Sequence, residues 1–224
     1  FSDFDVLSDA KKKTFVFEWH IGSNRLLKNN FSDATAMEHV NGWLSIENRF
    51  LFSQKRRLGS NTSPFQLQTG LGFANTIFSF KNERTISKDI LGGSGTGLFP
   101  IFNMNSVWSS NWSYTHLNAP VMLHFDLSPK GTFNEGLNLG VGVEGRMRLA
   151  SSAAYSGRDL DGDWYTRTVQ SGFNTRILNY AVLAQAGYKK AKLTGRLERV
   201  PLFRAEAFEE DVFLGSITLG FSLN

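Results

Sequence analysis

Apolar residues alternate with polar or small residues, at a period of two, from Leu137 to Leu149. One set is Leu137, Leu139, Val141, Val143, Met147 and Leu149, and the other is Asn138, Gly140, Gly142, Glu144, Arg146 and Arg148. Successive side chains of a β-strand point to opposite faces of the sheet, whereas the period of a helix would mix the two sets. The pattern therefore predicts a strand with one apolar face and one face of small and charged side chains.

Seven other segments alternate in the same way, and turn-rich stretches separate them. They are Thr14–Ile21, Trp43–Phe52, Phe65–Phe80, Leu117–Leu127, Leu178–Tyr188, Leu193–Glu198 and Phe213–Leu223. The long stretches 81–116 and 151–175 between them are predicted to be irregular. Near Asn75 the apolar set changes parity, which indicates either a bulge or a strand that emerges from one solvent into another.

The connections between these eight segments are long after odd strands and short after even ones. This alternation predicts an all-β fold, an eight-stranded antiparallel up-and-down barrel with long loops at one end and turns at the other. Bacterial outer-membrane barrels place the long loops outside and the short turns in the periplasm. We therefore expect residues 1–13 to form an N-terminal tail and residues 14–224 to form a single transmembrane barrel, with both termini in the periplasm.

Composition limits the chemistry that the chain can perform. Its 224 residues include no cysteine, which excludes disulfides, cysteine-ligated metals and thiol catalysis. No apolar run approaches the roughly 18 residues that a membrane-spanning helix needs. The mean hydropathy of -0.22 is typical of a soluble protein, but a transmembrane barrel has a similar average because its lumen residues offset its lipid-facing ones. We expect no cofactor.

The apolar face could surround the barrel or fill it, and the available volume decides between the two. The interior of an eight-stranded barrel is just wide enough for side chains, and about a dozen fill it in layers. The eight segments place far more bulky apolar side chains than that on the apolar face. The sequence therefore favours a membrane barrel with an apolar exterior. The alternative is a soluble, lipocalin-like ligand-binding barrel with a solvated charged exterior.

The opposite face would then line the lumen, and it carries charges of both signs together with small residues. The predicted lumen charges are Glu18, Glu47, Arg49, Glu144, Arg146, Arg148, Arg196 and Glu198. Pairing lowers the cost of removing each charge from water. We expect a lumen that is plugged by these side chains rather than a wide pore.

The second half of the chain resembles a known family. The piece YTHLNAPVMLHF, Tyr114–Phe125, resembles the pattern around the fourth strand of porin-like β-barrel proteins of Bacteroidota. LNLGVGVEGRMRLASS is similar to the next strand of that family, and Pro201-Leu202-Phe203 with the closing GSITLGFSLN is similar to its last hairpin. The resemblance implies an eight-stranded outer-membrane barrel. It implies no catalytic residues, because members serve as structural proteins, adhesins or subunits of larger membrane assemblies.

Aromatic residues are concentrated in the stretch before the fourth strand. We predict that Phe99, Phe102, Trp108 and Trp112 either pack over the barrel mouth or form a contact for a partner protein. The leading hypothesis is a non-enzymatic structural or accessory subunit of an outer-membrane assembly. Its expected partners are outer-membrane lipid and lipopolysaccharide, together with other outer-membrane proteins.

Two weaker patterns suggest ligands. Asp159, Asp161 and Asp163 resemble a fragment of a calcium loop but lack its glycine and its downstream glutamate, so a solvated acidic loop tip is the favoured interpretation. Short basic runs at Lys11–Lys13 and Lys55–Arg57 are expected to be solvated on the periplasmic side. Without a recognition fold they do not indicate nucleic-acid binding.

A second functional hypothesis is a lipid-modifying barrel enzyme. His39 and His116 fall on outer loops of the predicted topology, and Ser109, Ser113 and Asp33 are candidates by residue type for a nucleophile and an acid. No motif in the sequence has the spacing of a catalytic site, so we predict that the protein is not an enzyme.

Overall fold

The computed structural model of the chain describes residues 13–28, 40–41, 44–60, 62–81, 84–88, 96–101, 104–127, 133, 135–204 and 211–223. Every regular element in these residues is a β-strand. The strands are β1 (Lys13–Leu27), β2 (Ile46–Arg57), β3 (Phe65–Ser79), β4 (Arg84–Lys88), β5 (Thr96–Pro100), β6 (Met104–Asp126), β7 (Leu137–Asp159), β8 (Trp164–Gln170), β9 (Leu178–Tyr188), β10 (Ala191–Glu198) and β11 (Phe213–Ser222). The described residues contain no helix that is long and apolar enough to cross a membrane.

Eight of these strands close into a ring. Their order is β6-β3-β2-β1-β11-β10-β9-β7, and β7 pairs again with β6. Each neighbouring pair is antiparallel. The predicted fold class, an eight-stranded antiparallel barrel, is confirmed. β8 pairs with the far half of β7 outside the ring, and β4 and β5 form a separate hairpin.

The two ends of the barrel differ. At one end, which we call the turn end, short connections join β2 to β3, β6 to β7, and β9 to β10. The tightest is the pair Lys189–Lys190, where Lys189 adopts a φ of 52°. The long connections, the β4–β5 hairpin and β8 lie at the opposite end, the loop end. β1 begins at Lys13, where the predicted tail ends, and residues 1–12 lie outside the described part.

An apolar belt surrounds the ring. Its side chains point outward and are exposed, and Val141, in the belt segment of β7, is 63% exposed. Further members include Phe50, Phe52, Phe65, Leu71, Phe73, Leu117, Val121, Leu123, Leu139, Val143, Leu193, Ile217 and Leu219. Phe15 stacks on Phe52 across β1 and β2, with ring centroids 5.9 Å apart. The phenylalanines of the belt therefore lie outside the barrel and not at its centre.

The belt ends sharply toward the loop end. Asn48, Asn75 and Thr115 face outward in register on β2, β3 and β6, and Asn75 Nδ2 donates a hydrogen bond to Thr115 Oγ1 at 2.8 Å. Beyond this polar ledge the inward positions Thr76 and Phe78 of β3 are fully buried, and the register of β3 with β6 has no bulge. The structure therefore has no bulge at Asn75, and the other interpretation, emergence into a second solvent, stays a prediction.

Above the ledge the barrel has an ordinary hydrophobic interior, which we call the loop-end core. Its buried members are Leu26, Val40, Phe78, Ile86, Trp112, Tyr114, Ala153, Phe173, Leu202, Phe203, Val212 and Leu214. Aromatic rings fill the mouth, and Trp112 stacks on Phe78 and Phe203 at 5.1 and 5.5 Å. The loop-end core packs inside the barrel at this end.

Several predicted boundaries were wrong, because the strands continue past the belt. β1 runs to Leu27, beyond its predicted end at Ile21. β6 begins at Met104, inside the predicted irregular stretch 81–116, which also holds β4 and β5. β7 runs to Asp159, and β8 occupies part of the predicted loop 151–175. A bulge at Leu149 helps β7 continue, since Thr115 pairs with Ala150 and His116 pairs with Arg148.

Another error concerns the basic run after the second strand. β2 extends to Arg57, and Lys55 and Arg57 point into the lumen and are buried, whereas Arg56 between them is exposed. These two side chains are therefore lumen residues and not a solvated rim. Lys11 and Lys12 lie outside the described part of the chain.

Small residues on the inward face provide space for large rings. A Cβ atom built on Gly140 of β7 would lie 2.6 Å from two atoms of the His124 ring, whereas one built on Gly145, which faces outward, meets no atom within 4 Å. We predict that Gly140→Ala lowers the free energy of unfolding by about 1–3 kcal/mol through overpacking. Gly145→Ala should change it by no more than about 0.5 kcal/mol.

Urea unfolding followed by tryptophan fluorescence checks this prediction. Adding His124→Ala to Gly140→Ala should recover part of the loss, because the side chain that the new methyl group meets is removed. Equal stability of the two glycine variants would contradict the packing described for the lumen.

Candidate functional site

The lumen between the ledge and the turn end contains a network of buried charges. Glu47 of β2 and Arg196 of β10 form a bidentate salt bridge across the lumen. Arg196 Nη1 donates to Glu47 Oε1 at 2.6 Å, and Nη2 donates to Oε2. Thr76 Oγ1 donates a third hydrogen bond to Glu47 at 3.2 Å. Bidentate pairs between a guanidinium and a carboxylate are among the strongest ion pairs in proteins.

Glu144 of β7 lies among three guanidinium groups. Its oxygens are 3.1 Å from Arg49 Nη1, 3.7 Å from Arg146 Nε and 3.8 Å from Arg196 Nη1. Asn118 Nδ2 donates to the same carboxylate at 3.3 Å. Glu144 therefore joins the charges of β2, β7 and β10 into one cluster.

Arg146 extends this cluster toward the loop-end core. Its guanidinium donates to Glu198 of β10 and contacts the ring of His116 on β6. Asn179 Nδ2 donates to Glu198 at 2.6 Å. The upper layer of the network thus consists of three glutamates and three arginines, and Tyr114 of the loop-end core lies directly above it, its ring 5.2 Å from that of His116.

A second layer is centred on Glu18 of β1. Its carboxylate accepts hydrogen bonds from Lys192 and from Gln68 Nε2 at 3.3 Å, and it lies 3.0 Å from His20 Nε2. Lys55, one of the missed lumen residues, is an electrostatic neighbour of both Glu18 and Lys192. This layer links β1, β2, β3 and β10.

Arg57 and Asp126 close the network at the turn end. Arg57 Nη2 is 3.8 Å from Asp126 Oδ2, and Gln66 donates to the same carboxylate. Arg57 Nη1 also donates to the carbonyl oxygen of Ser63 at 2.5 Å, and its guanidinium lies 4.7 Å from the centre of the Phe133 ring. These contacts tie the lumen to both neighbouring turns.

Acids and bases nearly balance in this network, because five buried carboxylates face six buried cations in the described residues. They are Glu18, Glu47, Asp126, Glu144 and Glu198, with Arg49, Lys55, Arg57, Arg146, Lys192 and Arg196. Sequence reasoning missed Lys55, Arg57, Asp126 and Lys192. The signal was present in their parity, which matches that of the predicted lumen residues on the same or adjoining strands.

Arg148 is the one predicted lumen charge that the structure places elsewhere. It is only partly buried, and its Nη1 donates to Gly172 O at 2.6 Å and to Thr175 Oγ1 at 2.5 Å. Arg148 therefore holds the turn before β9, where Phe173 enters the loop-end core. Within the described part of the chain, Arg148 forms no salt bridge.

The predicted aromatic contact loop separates into two parts. Trp112 is 1% exposed and its Nε1 donates to Ser151 Oγ at 2.6 Å, so it packs in the barrel mouth and is not available to a partner. Trp108 is 58% exposed and lies 4.5 Å from Trp164 of β8, centroid to centroid. Phe102 and the side chain of Phe99 lie outside the described part.

The acidic tip between β7 and β8 has a structural explanation. Asp159 Oδ1 accepts hydrogen bonds from the backbone N–H groups of Asp161, at 3.1 Å, and Asp163, at 2.9 Å. This carboxylate stabilises the turn, as aspartate side chains often do. No cluster of three metal-ligating side chains occurs in the described residues.

The candidate catalytic groups that the structure describes do not converge. His116 is fully buried in the lumen against Arg146, whereas Ser113 faces outward on the same strand, within 3.5 Å of Asn75. Ser109 is hydrogen-bonded to Ser156 at 2.7 Å in the β6–β7 extension. His39 and Asp33 lie outside the described residues.

Comparison with known proteins adds little. No family model matches the chain, and no curated protein matches it. Among solved structures, the chain is similar to Neisserial surface protein A (NspA), with a TM-score of 0.42 and 10% sequence identity over 95% of this chain and 98% of that one. The barrel assignment rests on the strand pairing of the chain itself.

The network predicts that single charges cannot be removed without loss of stability. Arg196→Met leaves Glu47 without its two-bonded partner inside the barrel, which should lower the free energy of unfolding by about 3–5 kcal/mol. The double variant Glu47→Met with Arg196→Met should recover most of this loss, since no uncompensated charge remains. Urea unfolding provides the measurement.

Arg56→Met is the matched control, because Arg56 is an exposed arginine next to the buried Lys55 and Arg57. It should change stability by no more than about 0.5 kcal/mol. If Arg196→Met behaved like Arg56→Met, the ion pair with Glu47 would not be a structural element of the lumen.

Proposed function

We propose that the protein is an integral β-barrel of the bacterial outer membrane with a structural or accessory role and no enzymatic activity. The observation that carries the proposal is the arrangement of its two faces, with Val141 and the rest of the apolar belt exposed outside and the charges buried inside. In water this arrangement would expose a continuous apolar surface far larger than soluble monomers tolerate. In a bilayer the belt meets hydrocarbon, and the closed ring leaves no sheet edge unpaired at that depth.

The height of the belt matches this environment. It extends from Phe65 to Phe73 on β3 and from Leu117 to Phe125 on β6. A transmembrane strand needs about 9–11 residues when tilted. The polar ledge of Asn48, Asn75 and Thr115 then lies at the outer interface. The turn end, where β1 begins and β11 ends, then faces the periplasm, because outer-membrane barrels direct their long loops outward.

A plugged lumen favours a structural role over a pore. The two charged layers fill the middle of the barrel, the loop-end core closes the mouth, and Arg57 with its neighbours closes the turn end. An eight-stranded barrel has no spare width for a continuous water column beside such side chains. We infer a non-conducting scaffold in contact with membrane lipid and lipopolysaccharide.

The loop end supplies the surface for other proteins of an outer-membrane assembly. Trp108 and Trp164 form an exposed aromatic pair on the extension, and Arg158 lies 5.9 Å from the Trp108 ring centre. Tryptophan and arginine are enriched among residues that dominate protein interfaces. The resemblance to the porin-like family of Bacteroidota agrees with an accessory role and stays a prediction.

If the belt lies in hydrocarbon, a charged side chain placed on it should destabilise the barrel, and more so at the middle of the belt than at its edge. Val141→Arg places a guanidinium at the middle of the belt, which should lower the free energy of unfolding from lipid vesicles by about 2–4 kcal/mol. Ser152→Arg, on the same strand beyond the ledge, should cost about 0–1 kcal/mol. Urea titration of the chain folded into vesicles compares the two. Equal effects, or failure of the wild type to enter vesicles, would contradict a membrane-embedded belt.

The filled lumen predicts an electrically silent protein. Reconstituted into planar bilayers at matched protein amounts, the wild type should give no stable current steps above the bare membrane, while an open porin serves as the positive control. The physical reason is that Glu144 and its three arginine neighbours occupy the barrel axis. Uniform single-channel steps would exclude a plugged lumen.

A further inference from the structure

β8 presents an unprotected strand edge. It pairs with β7 along one side, and in the described residues no strand pairs with its other side. All seven of its residues are exposed. The segment Trp164–Gln170 contains no proline, glycine or lysine, and its register with β7 has no bulge. Natural proteins use proline, bulges and charged side chains, lysine above all, to prevent exposed edges from pairing. Of these features the segment has only the single charge of Arg167, so this edge is available for a partner strand of complementary charge.

The hydrogen-bonding groups on this edge follow from the β7–β8 ladder. Asp159 N donates to Asp163 O at 3.0 Å at one end of the ladder. Ser171 N donates to Ser151 O at 3.2 Å at the other end. Because hydrogen-bonded and non-hydrogen-bonded pairs alternate in an antiparallel ladder, every second residue between these ends directs its backbone away from β7. The outward-directed N–H and C=O groups are those of Trp164, Thr166, Thr168 and Gln170.

We propose that this edge pairs, antiparallel, with β8 of a second copy of the chain. An isologous pairing repeats every cross-strand contact twice. Centred on Arg167, it would place two arginines directly opposite each other, which is destabilising. Centred on Tyr165, it places Asp163 of each copy opposite Arg167 of the other. Charge complementarity therefore selects the register centred on Tyr165.

The pairing dictates how the two copies are oriented. β7 runs away from the belt and β8 runs back toward it, so an antiparallel β8 belongs to a barrel on the far side. Gly157, the partner of Tyr165 on β7, lies eight residues beyond Leu149 at the edge of the belt. The two belts would be separated by roughly 50 Å measured along the strands. This arrangement, which rests on the proposed function, joins copies in two facing membranes.

Charge reversal tests the proposal on the full chain in detergent. Analytical ultracentrifugation should detect a wild-type dimer, and Asp163→Arg or Arg167→Asp alone should weaken its Kd about tenfold or more, because two attractive pairs become repulsive. An equal mixture of the two variants should restore the dimer, since each arginine again faces an aspartate. A monomeric wild type, or a mixture no tighter than either variant alone, would overturn the proposal.

The absence of native cysteine permits a second test of the register. Tyr165→Cys places two thiols on a non-hydrogen-bonded pair, where Cα atoms are about 4.5 Å apart and a disulfide can form. The matched control is Arg167→Cys, whose two thiols would be four residues out of register, roughly 13 Å apart. Disulfide-linked dimers of the first variant and not the second support this register. Equal crosslinking, or none, would overturn it.

Vesicles separate this proposal from the proposed function. Liposomes that carry the wild type should cluster, as measured by light scattering, and those that carry Asp163→Arg should not. A detergent dimer without clustering would overturn the facing-membrane arrangement. Failure of the chain to insert into liposomes would overturn the proposed function, while the ultracentrifugation result would still decide the pairing.

Discussion

The narrow interior of an eight-stranded barrel is the constraint on which the rest of this structure depends. Every inward side chain displaces water, so each inward charge must find its counter-charge within the lumen. Glu144 among three guanidinium groups and Glu47 against Arg196 satisfy this condition. The narrow interior also limits side-chain size. Position 140 is a glycine because the His124 ring occupies the space that a side chain would fill. The near balance of buried charges and the small inward residues thus both follow from the narrow width of the barrel interior.

Under the proposed function, the same strands meet two surroundings along their length, hydrocarbon around the belt and water beyond it. Below the ledge of Asn48, Asn75 and Thr115, apolar residues face outward and charges face inward. Above it the inside becomes apolar, since Trp112 and the rest of the loop-end core lie there. A strand can make this change without altering its own geometry, since only the medium around it differs. β3 does so without a bulge, whereas β7 uses an extra residue at Leu149.

The sequence predicted the eight ring strands and the direction of each face, because alternation within the belt is strong and local. It failed above the ledge, where an apolar residue such as Trp112 points inward and the rule that identifies the outer face no longer applies. It also could not give the partners within the network. Glu18 and Lys192 are 174 residues apart, and they meet only because β1 closes the ring against β11, beside β10. Arg148 lies on the same face of β7 as Arg146, yet its guanidinium donates hydrogen bonds to the turn before β9 and not to a carboxylate.

The central claim is that hydrocarbon surrounds the barrel and that ion pairs fill its axis. The most direct measurement is a scan of single cysteines along β7, from Leu139 to Arg146, each labelled with a small fluorophore in vesicles that contain brominated lipid. Quenching should alternate with a period of two, strong at Leu139, Val141 and Val143 and weak at the positions between them. Strong quenching at the even positions, or uniform quenching without alternation, would contradict the account.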